Sequence, residues 1–218
     1  MDEVSNYWIN FKPKNIKESC PNLSLFRFLG AILESFEDKR ILEVGFNNGV
    51  DLLECKKRGA HIYGTDINPN ALKSIDIKDR NNLKISKSGK EPLPFNIQFD
   101  LIYTRDTLCY FTVEEIKFFI NDAKRKLKSD GILLIHFIEK DLFLESANPI
   151  DDVNFNLFKN GTFKSIHPEN PFRFITSYEL INSAKEVNLN LFASKRMIQS
   201  YDLKEEQFRV ERYLAFKG

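Results

Sequence analysis

The residues best suited to chemistry lie between positions 41 and 72, ILEVGFNNGVDLLECKKRGAHIYGTDINPNAL. Gly45 and Gly49 flank a short turn, and Asp66 follows Gly45 by 21 positions. A glycine directly after a strand lets the chain turn sharply, and a second lets a helix start come close to a ligand. An acid at that distance can accept hydrogen bonds from both hydroxyls of a ribose. Asn47 stands where a dinucleotide loop would carry its second glycine. Asparagine is the non-glycine residue most at ease at positive φ, so the loop is narrowed rather than lost. A plainer reading stays open, in which the glycines are ordinary loop residues and Asp66 a turn carboxylate. Spacing alone does not separate a dinucleotide from another adenosine cofactor. A carboxylate serving only a ribose would contribute little to the stability of the ligand-free protein.

A second group of residues could act on an acceptor. His136 lies near the end of the apolar run GILLIHFI, and an unperturbed imidazole titrates close to neutral pH, as a general base should. Its alternative is a hydrogen-bonded histidine inside a sheet. Asp106 and Tyr110 follow another apolar run, FDLIYT, with helix capping and aromatic packing as their alternatives. His167 would reach a substrate only if the segment around it folded over the site. Tyr7 and Trp8 could close over a ligand or cover the edge of a core. Cys20, Cys55 and Cys109 form no C-x-x-C pair and no histidine stands at ligand spacing, so they read as reduced thiols, with no metal site and no disulfide.

Positioning these groups requires strands that end beside one another. Residues 23–36, LSLFRFLGAILESF, carry apolar groups at helical spacing after a possible cap at Asn22. RILEVG (40–45) then reads as a strand, VDLLECKKRG (50–59) as a helix with acids early and bases late, and AHIYGTD as a second strand. Asn68 and Pro69 open the next helix as cap and first residue. LKIS (83–86) is a weak strand and FDLIYT (99–104) a stronger one; Thr112 and Glu115 stand at capping-box spacing ahead of a helix that ends in lysines. GILLIHFI (131–138) is a buried strand. Thr176 and Glu179 begin a last helix, running to about Val187, and NLNLFASKRMI and QFRVERYLAF form an antiparallel pair across SYDLKEE.

The fold class is therefore α/β: a Rossmann-like, mostly parallel sheet with helices on both faces and an antiparallel C-terminal strand pair. One domain covers 1–218, with 1–38 an N-terminal helical or lid segment and 139–175, rich in proline and phenylalanine, an insertion or lid. Such sheets bind ligands beyond the carboxyl ends of their strands.

Composition narrows the partners. The 32 Lys and Arg nearly cancel the 31 Asp and Glu, so a nucleic acid or anionic membrane has no general electrostatic attraction to the chain. MDEVSNYWIN lacks a basic segment followed by an apolar run, and no stretch of about 18 apolar residues occurs, which points to a cytoplasmic protein acting on a small molecule. The oligomeric state has no signature in the sequence.

In order and separation, ILEVGFNNG, GAHIYGTDINPNAL, FDLIYTRDTLCYF and LKSDGILLI resemble the successive motifs of the class I S-adenosylmethionine-dependent methyltransferases, across roughly residues 40–138. The resemblance implies that S-adenosylmethionine is the cofactor. Glu43 and Gly45 would lie near its methionine amino and carboxylate end, Asn47 and Gly49 in the loop around it, Asp66 on the ribose, Ile67 against adenine, and Thr104 and Arg105 facing methyl transfer. Two features depart from the pattern: Asn47 itself, and Lys87, Ser88 and Gly89 where an acid near adenine is often found. TRDTLCY also replaces the N-P-P-Y signature used on amide or base nitrogens, so a hydroxyl of a sugar or secondary metabolite is the expected acceptor. A non-catalytic cofactor-binding protein is a second reading. A nicotinamide-dependent oxidoreductase is a third, although GFNNGV lacks two of the glycines it should show.

Overall fold

A computed structural model describes residues 3–13, 15–139, 156–157, 162–164, 171–173, 175–202 and 207–218. Its main sheet has seven strands: β1 (Arg40–Val44), β2 (His61–Asp66), β3 (Leu83–Ile85), β4 (Phe99–Arg105), β5 (Leu127–Ile138), β9 (Asn190–Asp202) and β10 (Gln207–Lys217). They lie in the order β3-β2-β1-β4-β5-β10-β9. β1 pairs in parallel with β2 and β4, β2 with β3, and β4 with β5, whereas β10 runs antiparallel to both β5 and β9. This is the expected fold class. Three short strands, β6 (Asn156–Leu157), β7 (Thr162–Lys164) and β8 (Pro171–Arg173), form a separate antiparallel sheet. The rest of 140–174, including His167, lies outside the described residues.

Alternation along the strands explains the two-sided packing. Leu42, Val44, Ile102, Leu133 and Ile135 enter one core cluster with Phe119 and Ile120 of α5 (Val113–Lys126). Ile41, Leu101, Tyr103, Ile132 and Leu134 point the other way and meet Leu25 and Leu29 of α2 (Leu23–Ile32) and Leu52 of α3 (Val50–Lys57). Successive residues thus bury opposite faces, which is why these strands read as continuous apolar runs.

Local signals set the helix starts. Asn22 caps α2 by accepting from the Leu25 N–H at 2.9 Å. Asn68 caps the short α4 (Pro69–Lys73), accepting from Asn70 N–H at 2.9 Å, with Pro69 at its first position. Thr112 and Glu115 form the capping box of α5, and Thr176 caps α6 (Ser177–Lys185) by accepting from Glu179 N–H. Some boundaries differ from the sequence reading. α2 stops at Ile32, where Leu33 turns to extended backbone, and β5 begins at Leu127, four residues before the apolar run. There Leu127 pairs with Phe99 at the foot of β4 ahead of a register shift, and Lys128 donates to Asp100 at 2.8 Å. The first helix, α1 (Glu3–Asn10), folds back over the strand ends, where the Asn68 side-chain amide donates to Phe11 O at 2.7 Å.

Candidate active site

The carboxyl ends of β1, β2 and β4 open into a cavity of about 760 Å³, walled on its outer side by Ser5 and Trp8 of α1. The volume falls within the roughly 300–1,000 Å³ usual for small-molecule sites.

At the β1–β2 side the backbone shapes the wall. Gly45 has φ 80°, Asn47 φ 50° and Gly49 φ 74°. The Gly45 N–H donates to Thr65 O at 2.7 Å, tying the start of the loop to β2, and Gly49 N–H closes the turn on Phe46 O at 2.7 Å. A Cβ on Gly45 would collide with the Thr107 side chain. The hydroxyl of Thr107 donates to Val44 O at 3.2 Å, locking the turn after β4 beneath the loop. Gly45, Asn47, Asp66 and Ile67 all line the cavity. Gly49 is not among the lining residues: it is the left-handed N-cap of α3, and its bare Cα leaves room for Ile75.

Asp66 is buried, and both of its oxygens already serve the loops. Oδ2 accepts from Asn47 N–H at 2.7 Å and Oδ1 from Asn68 N–H at 2.8 Å. Burial pushes its carboxyl above the ordinary value, against the pull of the Asn68, Asn47 and Ile67 backbone donors. This corrects the expectation that Asp66 contributes little to ligand-free stability, because its removal strands two backbone donors. Each carboxylate oxygen has two lone pairs, so acceptance from a ribose is compatible with these bonds.

Glu43 lines the cavity from the end of β1 at 3% exposure and accepts the Tyr103 hydroxyl at 2.8 Å. Burial, and then the nearby Asp51 carboxylate, hold its carboxyl well above the ordinary range. Arg105 donates to Asp51 at 2.8 Å, and Asp51 in turn accepts from the Asn22 N–H at 2.7 Å. Arg105 is held protonated by Asp51 against the opposing effect of its own burial. Thr104 faces elsewhere. It is buried, absent from the lining, and its hydroxyl has no partner among the described residues, whereas its neighbours Arg105, Asp106 and Thr107 line the cavity.

The β4 side is built from side chains. Asp106, at φ 54°, and Tyr110 line the cavity, and Trp8 meets Tyr110 edge-on with ring centroids 5.0 Å apart. Phe111 continues this aromatic wall, while Tyr7 packs against Trp8 without entering the lining. His136 is not a lining residue. Its side chain is 1% exposed, with Nδ1 3.3 Å from Asp106 Oδ1 and Nε2 3.3 Å from Glu211 Oε2. Burial opposes its protonation, but Asp106 and Glu211 together raise its pKa above the usual 6.5. A base that touches an acceptor must therefore be sought at Asp106 or Tyr110 rather than at His136.

Residue type gave no warning of several wall residues. Ser5 and Ser86 line the cavity without any motif to mark them, and Asn48 and Thr107 lie within motifs whose other residues drew the assignment. Asp51 had one usable sign, an acid in the first turn of a helix. Cys20 is exposed, Cys55 and Cys109 are buried, and none of the three forms a disulfide. The described residues contain no group of three His, Cys, Asp or Glu able to hold a metal.

A family profile described as a methyltransferase domain matches residues 42–135, the stretch from β1 to β5 that builds this cavity. Over that stretch, somewhat under half of its length, the chain is similar to methyltransferase domains. Among its relatives, an uncharacterised protein of Haemophilus influenzae is 27% identical over 154 residues, covering 65% of this chain and 61% of that protein. The chain thus spans less than two thirds of that relative's length. The phosphoethanolamine N-methyltransferase of Plasmodium falciparum is 25% identical over 217 residues, covering 85% of this chain and 80% of that one. The fold matches magnesium protoporphyrin IX methyltransferase from Synechocystis, solved with S-adenosylhomocysteine, at TM-score 0.64 and 15% identity over 89% and 81% of the two chains.

Methyltransferases of this fold have been solved with S-adenosylmethionine or S-adenosylhomocysteine, and the cavity has a size and lining suited to such a ligand. Ser86 Oγ and Trp8 Nε1 are buried polar atoms on the cavity wall with no partner in the protein, suited to a ligand with nitrogen and oxygen edges. Glu43, near the carboxylates of Asp51 and Asp66 as well as the Arg105 guanidinium, would be complemented by an ammonium group such as the methionine part carries. The nicotinamide reading is set aside.

Proposed function

We propose that this protein transfers the methyl group of S-adenosylmethionine to a small molecule carrying a proton-bearing nucleophile, with Asp106 receiving the proton. The observation that carries the reading is the presence, in one cavity, of the Asp66 loop and of an Asp106 carboxylate beside the Trp8–Tyr110 pair. A hydroxyl of a sugar or secondary metabolite is the first acceptor to test. An amine is the second, favoured by the likeness to the Plasmodium phosphoethanolamine enzyme.

Bound S-adenosylmethionine supplies an already activated methyl on a positive sulfonium, so the chain's work is alignment and proton handling. Orientation of this kind can contribute about 7–11 kcal/mol to lowering a barrier. Glu43 and Asp51–Arg105 would hold the amino acid end, Asn47 and Gly45 the loop side, Asp66 the ribose, Ile67 and Ser86 the adenine side. Asp106 would orient the acceptor O–H or N–H and take its proton as the new bond to carbon forms. Trp8, Tyr110 and Phe111 would exclude water, so residues 1–38 would close one wall of the site.

Action in the cytoplasm on a freely diffusing substrate belongs to the same proposal; the net charge of +1 gives the chain no general attraction to a nucleic acid or an anionic membrane. No helix among the described residues is long and apolar enough to cross a membrane. The test is release of S-adenosylhomocysteine from purified protein with separate panels of hydroxylated metabolites and of amines, phosphoethanolamine included. Acceptor-dependent release supports the proposal. Tight cofactor binding without release on either panel or on a small-molecule cell extract contradicts it and returns the non-catalytic reading.

A further inference from the structure

We infer that Asn68 is a positioning residue: it ties the loop that carries Asp66 to the end of α1 and so holds Trp8 at the Tyr110 side of the cavity. Asn68 lines the cavity beyond β2 and is 2% exposed. Its N–H and its side chain reach three parts of the chain. The N–H donates to Asp66 Oδ1 at 2.8 Å, Oδ1 accepts from the Asn70 N–H at 2.9 Å as the cap of α4, and Nδ2 donates to Phe11 O at 2.7 Å, 57 positions away. The partners fix the orientation of the amide, because a turned amide would set its nitrogen against an N–H and its oxygen against a carbonyl. The other good caps do only one of these jobs: serine is too short to reach Phe11, and aspartate sets an acceptor against an acceptor.

From Phe11 the connection runs to the other end of the cavity. The Phe11 N–H donates to Trp8 O at 3.2 Å and the two rings lie 5.0 Å apart between centroids, so the residue that Asn68 holds is itself folded against Trp8. Trp8 then meets Tyr110. Its Nε1 is buried with no partner among the described residues, so docking of α1 brings a donor to the cavity wall as well as an apolar face. Two further bonds secure the chain beyond α1, from Asn48 Nδ2 to Ser19 Oγ and from the Asn22 N–H to Asp51 Oδ1, each at 2.7 Å. The Asn68 bond reaches the end of α1 itself. One residue thus sets the Asp66 carboxylate and the Trp8 wall together.

This inference rests on the proposed methyl transfer only for its kinetic consequence. Its first test needs no acceptor, because Trp8 is the single tryptophan of the chain and its fluorescence reports where α1 lies. In the ligand-free, full-length protein, Asn68→Ser and Asn68→Asp keep a cap for α4 and lose the donor to Phe11. Each should raise the acrylamide quenching constant of Trp8 about twofold or more, as loss of one hydrogen bond to the docked state allows, and shift its emission to the red. A residue that only caps α4 would behave otherwise: the serine variant would quench like the wild type, and only Asn68→Ala would lower Tm. Unchanged quenching in the folded serine and aspartate variants overturns the inference. With an acceptor in hand, Asn68→Ser should raise the acceptor KM about fivefold or more and leave S-adenosylhomocysteine affinity within about threefold, because Asp66 keeps both backbone donors. An acceptor KM unmoved in a variant whose Trp8 has become exposed also overturns it. Failure to find any acceptor counts against the proposed function and leaves the quenching result to decide this inference.

Discussion

At the Asp66 end of the cavity the wall is held by backbone, with Gly45, Asn47 and Gly49 at positive φ and the Asn47 and Asn68 N–H groups converging on one carboxylate. At the Asp106 end it is held by side chains from distant parts of the chain: His136 and Glu211, 75 positions apart, and Trp8 against Tyr110. On the proposed function, the difference follows from what each end would do. A cofactor common to a whole superfamily can be met by backbone groups, which substitution rarely alters. An acceptor peculiar to one protein must be met by side chains. Changes at the first end should therefore act on cofactor affinity and ligand-free stability together, and changes at the second on turnover.

The largest effect expected is at Asp106. Asp106→Asn keeps the shape and loses the proton acceptor, so methyl transfer should fall about 100-fold or more, in keeping with general base catalysis. Initial rates of S-adenosylhomocysteine release measure it, and a loss under threefold would remove Asp106 from proton transfer. Next comes Asp66→Ala, which leaves the buried Asn68 N–H unsatisfied at a cost of about 1–3 kcal/mol and the part-buried Asn47 N–H without its partner at a smaller one. Ligand-free chemical denaturation should show a clear loss of stability, with Asp66→Asn intermediate; unchanged stability would mean that the loops do not depend on this carboxylate.

A smaller effect distinguishes variants of the loop itself. Asn47→Gly should be tolerated, whereas Asn47→Val, β-branched at φ 50°, should cost about 1–3 kcal/mol and weaken cofactor binding. Equal affinities in all three proteins would show that the loop does not approach the cofactor. The smallest effect is in pH dependence. Because the folded protein raises the His136 pKa above 6.5, this residue's contribution to stability is complete below about pH 6.5 and is lost as pH rises through the folded value. The difference in Tm between the wild type and His136→Gln should therefore shrink from mildly acid to alkaline pH, and a difference that grows would reverse the sign of the account.

The same contrast governs what could be read from the sequence. The glycines, Asp66, the caps at Asn68 and Thr112 and the apolar strands are local signals, each interpretable within a few residues. The double use of Asp66 was hidden, because backbone donors at Asn47 and Asn68 leave no mark in residue type. Thr104 was misjudged for a related reason. Its place at the end of β4 was legible, but which side of the sheet faces the cavity depends on register against β1 and β5. His136 looked like an available base until Glu211 and Asp106 closed on it, and Trp8 gained a role only when α1 folded back across the strand ends.

Calorimetric titration of S-adenosylhomocysteine into the wild type, Asp66→Ala and Asp106→Asn tests the division between the two ends most directly. Loss of the charge-assisted contacts to Asp66, worth about 1.5–3 kcal/mol each, should weaken binding at least tenfold in the alanine variant. Asp106→Asn should bind within twofold of the wild type. Equal losses in the two variants, or unchanged affinity in a well-folded Asp66→Ala protein, would contradict the account.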